Sequence, residues 1–71
     1  MQIGDKIKEY RNKHNLTQEK LAEMVGITRN YLSDLENNRY LPSTKTLIKL
    51  ANALDMDLNF LARNDGNTLH K

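Results

Sequence analysis

The chain has no cysteine, one proline, three glycines, and no apolar run longer than Phe60-Leu61-Ala62. Each shortage excludes something. Without cysteine there is neither a disulfide framework nor a thiolate zinc site, which suits a reducing compartment and leaves packing to hold the fold. An apolar run of three is too short for a membrane span or for the core of a signal peptide, so a cytoplasmic protein with no membrane partner is expected. Charge of one sign is also lacking. Eleven Lys+Arg against nine Asp+Glu leave a net +2, and residues 1–40 carry seven basic and six acidic side chains. Any electrostatic argument therefore rests on where charges sit rather than on how many there are.

What remains is ordinary for a small globular domain: 38% apolar and 28% charged residues in a chain of 71. Such a chain makes one domain and buries only roughly 60% of its unfolded surface, so its core must be economical. The apolar residues recur at spacings of three and four and nowhere alternate with period two, which predicts an all-α fold. Five helices are expected. The first runs from Ile3 to His14, with Ile7 and Tyr10 on one face and His14 packed or dipole-stabilised at its end. Thr17 caps the second, whose inner stripe is Leu21, Ala22 and Val25 and which Gly26 ends in the left-handed region. Thr28 caps the third, turning Leu32 and Leu35 inward. Pro42-Ser43 starts the fourth, striped by Leu47, Leu50, Ala51 and Leu54. A short fifth from Asp57 to Arg63 offers Leu58 and Leu61. Met24 and Met56 are expected to fill gaps in the core. The domain is drawn as residues 1–64, with 65–71 a flexible tail containing the partnerless His70.

Residues 18–37 form two short capped helices hinged at a glycine, a helix-turn-helix. At 100° per residue, Leu32 and Leu35 set the inward direction of the third helix, leaving Asn30, Ser33, Asp34 and Asn37 on the opposite side. Arg29 flanks them and reaches past the helix N-terminus, where unpaired N–H groups favour a phosphate. Short polar side chains let a helix approach a major groove about 12 Å wide, and Arg and Asn match guanine and adenine edges. Double-stranded DNA is the partner this face implies.

The chain resembles the lambda-repressor-like helix-turn-helix family of phage repressors, Cro-type proteins and related bacterial regulators over residues 3–62. The resemblance rests on Ile7 with Arg11, L-T-Q-x-x-L-A at 16–22, V-G-I-T at 25–28, Y-L-S-D-L-E-N at 31–37, P-S-x-x-T-L at 42–47 and L-A-N-A-L at 50–54. It implies a compact five-helix DNA-binding fold. It further implies a backbone contact from Gln18, base contacts from Arg29 and Asn30, and a phosphate contact from Thr28. Ser33 and Asp34 take later groove-facing positions, and Asn37 and Arg39 clamp the backbone. Asp34 either accepts from cytosine N4 or orients Arg29 or Arg39, the latter being favoured. The family also joins Arg11 to Glu36 as an ion pair; the alternative is two independent solvated charges. Asn15, Asn38 and Asp55 stand where the family commonly has glycine, and Asn and Asp are the next best residues in the left-handed region.

Phe60 is left near the surface once Leu58 and Leu61 turn inward, and the family often makes a two-fold contact in this stretch. Leu41, Asn59 and Phe60 are therefore the candidate dimer contacts, although Phe60 could equally cover its own core. No catalytic constellation is seen: Ser33 beside Asp34 lacks a histidine, and there is no glycine-rich phosphate loop, so no enzyme, metal or cofactor is expected. The reading is a sequence-specific transcriptional regulator, a repressor of phage or mobile-element type, acting as a dimer on a palindromic operator. The alternative is an antitoxin or bridging-factor module that binds an unidentified protein and contacts DNA secondarily.

Overall fold

The computed structural model describes residues 2–59, which form four helices and no strand. They are α1 (Ile3–Lys13), α2 (Gln18–Val25), α3 (Arg29–Glu36) and α4 (Thr44–Leu54). The fifth helix expected at 57–63 lies, beyond Asn59, outside the described residues, as do Phe60, Leu61 and the tail. Ile7, Leu21, Leu32, Leu35, Leu50 and Leu54 are fully buried, with Ala22, Val25, Ala51 and Met56 completing the core. Each helix contributes a single apolar stripe, so all four must meet at one centre. That arrangement turns the opposite side of α3 outward.

The starts of α2, α3 and α4 follow from local chemistry. Thr17 Oγ1 accepts from the Lys20 amide at 3.0 Å, Thr28 Oγ1 from Tyr31 at 3.0 Å and Ser43 Oγ from Thr46 at 3.2 Å. Each satisfies a donor that would otherwise be orphaned in the first turn.

The ends share one geometry. A residue with positive φ follows each helix: Asn15 at 57°, Gly26 at 77°, Asn38 at 62° and Asp55 at 53°. The next residue donates its N–H to the carbonyl five positions back: Leu16 to Arg11, Ile27 to Ala22, Arg39 to Asp34 and Met56 to Ala51, at 2.8 to 3.1 Å. Four Schellman closures in the 58 described residues leave little room for long loops.

The start of α1 is different, because its N-cap, Gln2, makes no side-chain hydrogen bond. Its cap comes from across the molecule. The Gly4 amide donates to Asn38 Oδ1 at 2.9 Å, and Asn38 Nδ2 donates to Asp5 Oδ1 at 3.1 Å. A Cβ at Gly4 would collide with the Leu35 carbonyl and the Asn38 side chain. Gly4→Ala should therefore cost about 1 kcal/mol net, overpacking outweighing the better helix propensity. A urea midpoint unchanged or raised in this variant would show that α1 yields without loss.

His14 is exposed rather than packed, and it stands at the C-terminal end of α1 as its C-cap, the other placement expected of it, its Nδ1 lying 2.9 Å from the Tyr10 carbonyl. One sequence expectation needs correction. Met24 is 48% exposed rather than a core filler; it points to the flank of α2, where it lines an open groove with Glu23, Lys49 and Ala53. Met56 is buried as expected.

Candidate nucleic-acid interface

α3 is held by Tyr31, Leu32, Leu35 and Glu36, all buried or half-buried on its inner side. The outer row is Asn30, Asp34 and Asn37, with Ser33 beside it and Arg29 at the front flank. Arg29, Asn30 and Asn37 are exposed, and their side chains hold no hydrogen-bond or ion-pair partner among the described residues. Ser33 and Asp34 are half-buried by their neighbours. Thr28 Oγ1 accepts the capping bond from the Tyr31 amide, and its hydrogen is still there to donate outward.

Behind this surface lies a polar hub. Arg11 grips Glu36 with two prongs, Nε to Oε2 at 2.7 Å and Nη2 to Oε1 at 3.1 Å. Both side chains are nearly buried, 11% and 2% exposed. The remaining Arg11 nitrogen, Nη1, donates to the Leu16 carbonyl at 2.7 Å, and Gln18 Nε2 donates to Glu36 Oε1 at 3.1 Å. The Arg11–Glu36 pair thereby ties the last turn of α1, the turn before α2, the first residue of α2 and the last of α3. A planar guanidinium can fill three directions at once, which a lysine could not. Sequence reasoning gave Gln18 to the DNA backbone and missed its bond to Glu36. Its half-buried amide still has a second N–H and its oxygen for other partners.

At the far end of α3, Arg39 and Asp34 form an ion pair, Nη1 to Oδ1 at 3.5 Å, while Arg29 stays apart. Of the three dimer candidates, Leu41 is 82% exposed and lies over a shallow apolar cleft lined also by Ile3, Pro42 and Leu47. Asn59 is exposed, its amide donating to Asp57 Oδ1 at 2.9 Å. Phe60 lies outside the described residues. Tyr40, 58% exposed beside Arg39, was not singled out from sequence; its position in a polar turn gives no periodicity to find it by.

Two helices joined through a left-handed glycine, the second laid bare on one side and wedged by a buried ion pair on the other, define a helix-turn-helix protein. A helix-turn-helix family profile matches residues 7–61, and the chain belongs to the lambda-repressor-like helix-turn-helix family. The ImmF control region 10 kDa protein of Bacillus phage phi105 is 49% identical over 59 residues, which are 83% of this chain and 66% of that protein. The immunity repressor protein of the same phage is 42% identical over 59 residues, 83% of this chain and 41% of the repressor. The chain thus spans between two fifths and two thirds of these relatives' lengths. Among solved structures, SinR, the master regulator for biofilm formation, in complex with DNA, matches with a TM-score of 0.77 at 36% identity. That match covers 84% of this chain and 97% of SinR as solved.

Proposed function

We propose that this chain binds double-stranded DNA sequence-specifically as a transcriptional regulator, a repressor of phage or mobile-element type that acts as a homodimer on a palindromic operator. The observation that carries the reading is the bare outer row of α3, where Arg29, Asn30 and Asn37 present unpartnered donors and acceptors. Similarity to an immunity repressor and to a regulator solved on DNA supports it. Arg29 and Asn30 read base edges, whereas Gln18, Thr28, Asn37 and Arg39 hold phosphates and set the register. Exposed Leu41 and its cleft supply the start of a two-fold contact that Asn59 and Phe60 extend. The same apolar exposure would suit the second reading, a module whose main partner is another protein.

Selection from random duplex DNA should enrich inverted repeats with half-sites about 34 Å apart. In gel shifts on the enriched site, Arg29→Ala should weaken binding by about 1 to 3 kcal/mol and relax the base preference at one position per half-site. If the variant binds every duplex like its parent, α3 is not the reader. Recovery of a stoichiometric protein partner together with no enriched DNA would favour the second reading.

A further inference from the structure

Charge is segregated across the groove between α2 and α4. α4 carries Lys45 and Lys49 and no acid, whereas α2 carries Glu19 and Glu23 against Lys20 alone. The groove measures about 630 Å³, with Glu23 and Met24 on its α2 side and Lys49, Asn52 and Ala53 on its α4 side. The opposite charges line one hollow, yet they do not meet within the chain. Glu23 reaches Lys20 instead, at 3.7 Å, and Lys49 has no hydrogen-bond or ion-pair partner among the described residues. Gly26 lines the same groove, and a Cβ there would meet nothing within 4 Å, so this wall is open to an approaching chain.

Such a surface is complementary to itself. A two-fold axis running along the groove lays α2 of one copy over α4 of the other, so each Glu23 comes opposite the other copy's Lys49 and each Met24 opposite the other copy's Ala53. An arrangement that set α2 on α2 and α4 on α4 would instead bring like charges together. The pair given up on contact, Glu23 with Lys20, has side chains 76% and 61% exposed and contributes little. The groove shares no residue with the outer row of α3 or with the cleft at Leu41.

We propose that this groove is a self-association surface whose occupant is a second copy of the chain, held by two reciprocal Glu23 to Lys49 pairs around Met24. It is separate from the two-fold contact at Leu41 and does not depend on the DNA-binding reading. Among the described residues, Met24 is the one large exposed apolar side chain it buries, far short of the roughly 1,200 Å² that a stable specific interface covers. The contact is therefore weak, with a Kd of about 1 mM, and it acts where copies are already held side by side. Two different two-fold surfaces on one chain link pairs into larger assemblies.

The test follows amide resonances of the full chain by NMR as its concentration is raised to roughly twice that Kd. Those of Met24, Asn52 and Ala53 should move, and added salt should reduce the movement. Glu23→Lys and Lys49→Glu each set like charges opposite one another and should raise the Kd at least about tenfold. The two variants mixed in equal amounts, and likewise the double variant, restore opposite charges and should return the Kd to about that of the parent. Both side chains are exposed, so the fold tolerates these changes. Groove resonances that stay in place in the parent would overturn the proposal, as would movement confined to residues around Leu41. So would loss of the contact in the single variants with no recovery in the mixture or the double variant. No duplex is present, so this outcome stands apart from that of the DNA selection.

Discussion

Glu36→Ala should lower the unfolding free energy by about 3 to 5 kcal/mol, measured by urea titration. The substitution strands Arg11, whose side chain is 11% exposed and keeps only the Leu16 carbonyl, and it removes the acceptor of Gln18. A domain of this size has roughly 4 to 11 kcal/mol in all, so the variant loses a large fraction of its stability. The cause is an uncompensated charge, not the absence of a favourable pair, because the desolvation of two ions offsets most of their attraction. The double substitution Arg11→Met with Glu36→Leu should therefore be more stable than Glu36→Ala alone. If the double variant is worse, the hub stabilises through its own hydrogen bonds.

Leu32→Ala should cost about 2 to 5 kcal/mol, because the side chain is fully buried on the inner stripe of α3 and its removal leaves a cavity among Leu21, Leu35 and their neighbours. The outer row is untouched by the change. Enriched duplex DNA should then raise the variant's melting temperature as it does the parent's, since a ligand that binds only the folded state stabilises by mass action. A variant that is helical by circular dichroism at low temperature yet fails to bind would show that the pose of α3, beyond its folding, depends on Leu32.

The elements legible in the sequence are those whose cause is local. Thr17, Thr28 and Ser43 cap helices because a hydroxyl three residues before a backbone amide can reach it, and the left-handed residues at 15, 26, 38 and 55 are those that tolerate that conformation. The pair Arg11 and Glu36, 25 residues apart, came from family likeness, since spacing says nothing about contacts at that distance. The bond from Gln18 to Glu36 and the cap that Asn38 lends to Gly4 were not legible for the same reason. Met24 misled because helical periodicity places a residue on a flank without saying whether a neighbour covers it.

The turn at Asn38 carries a constraint on how such a domain can vary. One asparagine bends the chain out of α3, supplies the missing acceptor for the start of α1 and delivers Arg39 to Asp34. An insertion or deletion at this corner would disturb all three together, so variety in this part of the molecule has to come from exchanging side chains at fixed loop length.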